Sequence, residues 1–162
     1  MNKKVIYLTL ALVLPVLVFL FLKLFGKNQF DIPVYYEMGV PDAPAECRMI
    51  ATQPYFLPDS ILTVIKWNKG AALLLTDVYE ANQKELKRLF SETRLNDLQV
   101  ISLDNMEADR MKRWRNCILF LKEPWKAVLI DNKKRIRGYY ALSSREEIER
   151  LEIELEILFK KY

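Results

Sequence analysis

Read from its N-terminus, the chain opens on Lys3 and Lys4 and then runs from Val5 to Leu22 without a charged residue. At 1.5 Å per helical residue such a run approaches the thickness of a hydrocarbon core. Lys23 can extend its aliphatic stem along apolar surroundings, which lets Leu24 and Phe25 lengthen the segment. A cleaved signal peptide has a shorter apolar region ending in small residues. Here the run ends Leu22-Lys23-Leu24-Phe25-Gly26-Lys27, and no cysteine follows directly to take a lipid. The pattern predicts a retained membrane anchor over 1–27, with Pro15 accommodated as a kink.

The pattern then changes. Residues 28–60 carry prolines at 33, 41, 44, 54 and 58 with little helical periodicity. They read as an extended lead-in packed on the following domain, with a short strand around Ile32 to Glu37. Ile61 to Trp67 has a β-leaning composition and ends at the turn Asn68-Lys69-Gly70. Ala71 to Leu75 is a continuous apolar run, the signature of a strand buried on both faces. Helical spacing follows from about Glu80 to Glu92, with Leu86, Leu89 and Phe90 apolar among charged positions.

The unit repeats. Leu98 to Leu103 predicts a second strand, and Asp104 with Glu107 has the spacing of a capping box opening a helix, on whose face Met106, Met111 and Trp114 recur. Strand, crossover helix and strand imply a parallel pair. After Pro124, Ala127 to Ile130 and Arg135 to Tyr140 flank the polar Asp131-Asn132-Lys133-Lys134, which predicts an antiparallel hairpin. Ser143 or Ser144 then caps a last helix, with Glu146 and Glu147 in its first turn, Lys160 and Lys161 in its last, and a buried stripe of Ile148, Leu151, Leu155 and Leu158. The order β-α-β-α-β-β-α over 61–162 predicts an α/β domain of thioredoxin-like fold, a central mixed sheet with flanking helices behind one transmembrane helix.

Composition changes the picture in three ways. Hydrophobic residues make up 51% of the 162 and there are only four glycines, so the chain suits a packed domain rather than a disordered tail. The net charge of +4 draws on Lys3, Lys4 and Lys23 in or beside the apolar segment, so the remainder is close to neutral and shows no basic stripe for nucleic acid. The balance of Lys3, Lys4 and the α-amino group against Lys23 and Lys27 points the N-terminus to the cytoplasm. This predicts a single-pass inner (cell) membrane protein with its domain on the extracytoplasmic, periplasmic side. The only two cysteines, Cys47 and Cys117, then read as a disulfide worth roughly 3 to 5 kcal/mol in the chain-entropy account.

The stretch Ala127 to Tyr140 with the capped acidic helix after it resembles the closing hairpin and helix of the Sco (SenC) family of thioredoxin-like proteins. So does the layout of anchor, Pro-rich lead-in containing Pro54-Tyr55-Phe56-Leu57-Pro58-Asp59, and the strand and helix at Ala71 to Glu92. The resemblance implies a role in assembling the copper centre of cytochrome c oxidase, or thiol redox chemistry, outside the inner membrane. That chemistry uses a Cys-x-x-x-Cys loop after the first core strand and a distant histidine. The corresponding loop here is Thr76-Asp77-Val78-Tyr79-Glu80-Ala81, without cysteine, and the chain has no histidine.

The expectation is therefore a binding or assembly protein rather than an enzyme, with no cofactor and no metal or catalytic residue. Its partners are the membrane and a respiratory oxidase subunit or another membrane protein. Two alternatives stand beside it: a thiol-disulfide oxidoreductase using Cys47 and Cys117, or a copper carrier with sulfur ligands, for which Met38, Met49, Met106 and Met111 are further soft donors. Pro124, just before a hairpin strand, is a candidate for the cis proline of thioredoxin folds, with either isomer open as a structural feature. Asp104, Glu107 and Asp109 cluster in sequence, but a capping position accounts for two of them, and Arg135, Arg137 and Arg145 are candidates for an anionic partner, against the plainer reading as solvated charges.

Overall fold

In the computed structural model, described for residues 3–25, 31–41, 44, 46–47, 53–68, 70–77, 83–92 and 97–161, the chain divides into two units, Met1–Asp31 and Ile32–Tyr162. The first is helix α1, Lys3–Phe25, which carries Pro15 inside it. Its described apolar side chains, from Leu10 to Leu22, are all exposed. Among the described residues no helix is long and apolar enough to cross a membrane.

The second unit is a mixed α/β domain. Its elements are helix α2 (Asp59–Val64), strand β1 (Ala71–Leu75), α3 (Gln83–Glu92), β2 (Leu98–Ser102), α4 (Ala108–Cys117), β3 (Ala127–Ile130), β4 (Ile136–Tyr140) and α5 (Arg145–Lys161). They form one four-stranded sheet in the order β2-β1-β3-β4. Strand β1 pairs in parallel with β2, Leu73 opposite Val100, and antiparallel with β3, Leu73 opposite Leu129. The hairpin places Val128 opposite Tyr139 and Leu129 opposite Gly138.

Both faces of the sheet are covered, which is why β1 and β3 are apolar at every position. Ala72, Leu74, Val128 and Ile130 point into one core with Tyr55 and Leu57 of the lead-in, Ile61 of α2 and Trp114 of α4. Ala71, Leu73, Leu75, Ala127 and Leu129 point into the other with Leu86 and Leu89 of α3 and the predicted stripe Ile148, Leu151, Leu155 and Leu158 of α5. Between Leu129 and Ile130 the hairpin register slips, Leu129 facing Gly138 and Ile130 facing Ile136. Arg137 is the extra residue, and such a bulge re-aims side chains. Ile136 and Tyr140, which regular alternation would put on one face, lie in different cores.

The re-aimed Arg137 is fully buried. Its Nη1 donates to Asp131 Oδ2 at 3.1 Å and its Nη2 to the carbonyl of Ile32 at 2.6 Å. Asp131 also accepts the backbone N–H groups of Lys133 and Arg135, closing the hairpin turn. Ile32 belongs to the α3–α5 core and the amide of Tyr35 donates to the carbonyl of Ile136, so the lead-in wraps round the β4 edge before Tyr55 and Leu57 enter the opposite core.

Three expectations need correction. Ile32 to Glu37 is not a strand: Pro33 supplies no donor, Tyr36 has φ +63°, and residues 35–38 form a turn closed by the Gly39 N–H to the carbonyl of Tyr36. Within Ile61 to Trp67 the β-leaning composition loses to a helix start, with Pro58 at the N-cap and Asp59 in the first turn of α2. Asp104 and Glu107 do not form a capping box. Glu107 is itself the N-cap of α4, and Asp104 turns to β1 instead. The helix predicted from Glu80 is seen from Gln83, residues 78–82 lying outside the described ones.

Candidate functional site

The loop in which the resemblance would place thiols begins at the carboxyl end of β1, beside β2, a position where open α/β sheets often bind ligands. Thr76 is buried; its N–H and its hydroxyl both donate to the carbonyl of Lys126, at 2.8 and 3.0 Å. Asp77 follows in the left-handed region at φ +54°, tolerated by aspartate better than by most residues. Its N–H donates to Asp104 Oδ1 at 2.7 Å, which is what draws Asp104 away from α4. Val78, Tyr79, Glu80 and Ala81 lie outside the described residues.

Four side chains form a closed ring of alternating charge at this edge. Asp77 Oδ2 is 2.7 Å from Arg115 Nη1 and 3.1 Å from Lys126 Nζ; Glu123 Oε1 is 2.7 Å from Arg115 Nη2 and 3.0 Å from Lys126 Nζ. The two cations are mostly covered while the carboxylates face solvent. Desolvation would raise the pKa of Asp77, but the hydrogen bonds from Lys126 and Arg115 outweigh it and hold the carboxyl below its ordinary value. Hydrogen bonding from Lys126 lowers Glu123 likewise, and Lys126 is raised because its two carboxylates overcome its desolvation.

The Glu123–Pro124 peptide is cis, as is Gln53–Pro54. Pro124 thus leads into β3 beside the ring, with Lys126 bonded back to Thr76. The chemistry available at this edge is limited. A carboxylate held well below neutrality and already paired is a poor general base, and no thiol, imidazole or free amine stands among the four charged groups. Among the described residues no group of three metal-ligating side chains gathers anywhere.

Cys47 and Cys117 are bonded to each other, with Cα atoms 5.2 Å apart. Cys117 ends α4, and both residues are half-buried in an open cleft with Lys112, Arg113 and Asn116. The disulfide is therefore near the ring through α4, which carries both Arg115 and Cys117, but is not part of it. Met106 and Met111 pack against the core that holds Trp114, Met38 is exposed on the 35–38 turn, and Met49 lies outside the described residues. Arg137 and Arg135 are taken by Asp131, and Arg145 pairs with Glu149, so none of the three arginines presents a bare guanidinium.

Arg115, Glu123 and Lys126 went unnoticed in the sequence, because Asp77 lies 38 and 49 positions from its partners and no spacing rule joins them. No family model matches the chain, and neither the curated proteins nor the solved structures give a match to it.

Proposed function

We propose that the chain is a membrane-tethered binding or assembly module whose domain is thioredoxin-like and works without thiol or copper chemistry at the edge of its sheet. The observation that carries this reading is the ring: where a redox or copper loop would open after β1, Asp77 is held by Arg115 and Lys126 beside a cis proline. The element order and the mixed sheet support the thioredoxin-like part. The tether is supported by the uncharged run from Val5 to Leu22 and by described side chains of α1 that are apolar and exposed on every side. The slight basic excess before α1 supports an extracytoplasmic domain, and the Sco-like wording of 127–140 favours assembly of a respiratory oxidase as the process served.

The test uses the full chain in detergent. It should take up no stoichiometric Cu(I) in competition with a chromogenic chelator. A one-to-one complex, lost when Cys47 or Cys117 becomes serine, would replace this reading with a sulfur-ligand copper carrier. Native-gel analysis of solubilised membranes should show the chain comigrating with a larger membrane complex.

A second reading has its own support. The Cys47–Cys117 bond is half-buried and lines an open cleft, so an incoming thiolate can reach it. A thiol-disulfide oxidoreductase would equilibrate this bond with a glutathione buffer near physiological poise; a bond that stays oxidised throughout removes that reading.

A further inference from the structure

Outside α1, the exposed large apolar side chains of the described residues are six. Val64, Val100 and Ile153 stand singly on α2, β2 and α5, as scattered surface residues ordinarily do. Trp125 differs, because its ring meets an aromatic assembly, and Met38 and Phe56 lie close along the chain to members of that assembly, Tyr36 and Tyr55. The rings of Trp125 and Tyr139 lie 5.8 Å apart and those of Tyr139 and Tyr35 5.0 Å apart. Tyr36 meets Phe120 at 5.1 Å and Tyr55 at 6.3 Å. Met38 is 90% exposed at the tip of the Tyr36–Gly39 turn. A hollow of about 100 Å³ runs between Val40, Pro41 and Pro44 on one side and Phe120 and Leu121 on the other.

We propose that this face, with Met38, Trp125 and the half-buried Tyr35 and Tyr36 at its centre, is a second membrane contact seated in the interfacial layer of the bilayer that holds α1. The inference rests on the reading of α1 as an anchor. Chain length commits the occupant. Ile32 lies seven positions after Phe25, and at no more than about 3.6 Å per step the chain between them spans at most roughly 25 Å. Ile32 is fixed to the domain by Arg137, and Tyr35 follows three residues later, bonded to Ile136. A face rooted so close to the tether stays within reach of the bilayer surface.

The side chains suit that layer. Tryptophan and tyrosine are enriched at membrane–water interfaces because each joins an apolar ring to a polar tip. Met38 adds a flexible apolar probe. Lys122, exposed on the turn that ends at Trp125, offers a cation to anionic headgroups, while Glu123 on that turn is already held by Arg115 and Lys126. Glu37 is the acid that opposes this arrangement, at the edge of the 35–38 turn.

The full chain, reconstituted in vesicles of phosphatidylcholine and phosphatidylglycerol, tests the proposal. Trp125 is the exposed member of three tryptophans; Trp114 is buried and Trp67 partly so. Phosphatidylcholine brominated near the top of its acyl chains should quench part of the emission, and this loss should disappear in Trp125→Phe, which keeps a ring against Tyr139. Met38→Glu, at a position too exposed to unfold the domain, should weaken the same quenching. Chains that float with the vesicles yet lose equal emission with and without Trp125 would overturn the docking face alone. Chains that do not float would overturn the anchor and the docking face together.

Discussion

Replacing Cys47 and Cys117 together by serine opens a loop of 70 residues, the separation that the disulfide closes. The chain-entropy relation gives about 4 kcal/mol at 25 °C for a loop of that length. The loop contains α2, β1, α3, β2 and nearly all of α4, so the cross-link restrains much of the unfolded domain. Its loss should lower the urea midpoint by roughly 2 M at a slope near 2 kcal/mol/M. The full chain in detergent can be followed by its tryptophan emission, to which Trp114 contributes from the core three residues before Cys117. Helix α1 holds no tryptophan and contributes nothing to that signal, which makes it preferable to far-ultraviolet dichroism. A midpoint moving by less than about 0.5 M would refute the reasoning. In that case the lead-in would be held by its other attachments, such as the amide of Leu57 on the carbonyl of Lys134, as firmly without the bond as with it.

Asp77→Asn should cost about 1 kcal/mol or less in thermal melts at neutral pH, because the carboxylate is half exposed and screened by water. Since the pKa of Asp77 is lowered in the folded state, its contribution is present above the ordinary value of 3.8 and fades as pH falls through the lowered one; the gap between native and variant should therefore close in acid, and a gap that widens contradicts the ring. Arg137→Met leaves the buried Asp131 without its guanidinium and should cost about 3–5 kcal/mol in the same melts; a neutral effect would show that Arg135 and the turn amides satisfy Asp131 alone. Gly138→Ala should cost about 1–3 kcal/mol, since a Cβ at that position meets the hydroxyl and ring of Tyr140, and Tyr140 is itself anchored on Glu154 at 2.5 Å; an unchanged melting temperature would mean that the ring moves freely.

What could be read from the sequence follows from how each feature is encoded. β1 and β3 are covered on both faces, so they appear as the uninterrupted runs Ala71 to Leu75 and Ala127 to Ile130. α5 carries its own stripe at positions 148, 151, 155 and 158, and all four side chains are buried. Short elements were less legible. α2 is six residues long, and its start depends on Pro58 and Asp59 while the β-branched Ile61 and Val64 argue for strand. The turn at 35–38 depends on backbone angles at Tyr36 and Gly39, which are set by what packs over them. Asp104 and Glu107 satisfied a local spacing rule, but the amide of Asp77, 27 residues away, claimed the carboxylate. The candidate site was legible only as an absence, that of thiol and imidazole. The charges occupying the place instead are joined by folding alone, and pairwise ionic contacts between distant residues leave no periodicity to read.

The carbonyl of Ile32, bound by a guanidinium that the β4 bulge turns inward, is the first backbone group of the domain that an interior side chain holds. Any pull arriving along the preceding residues is delivered to that grip and to the hairpin behind it. The 35–38 turn and the Cys47 cross-link lie downstream and are sheltered from it. A domain fastened in this way can be pulled from its N-terminal side without the aromatic face being peeled from the sheet.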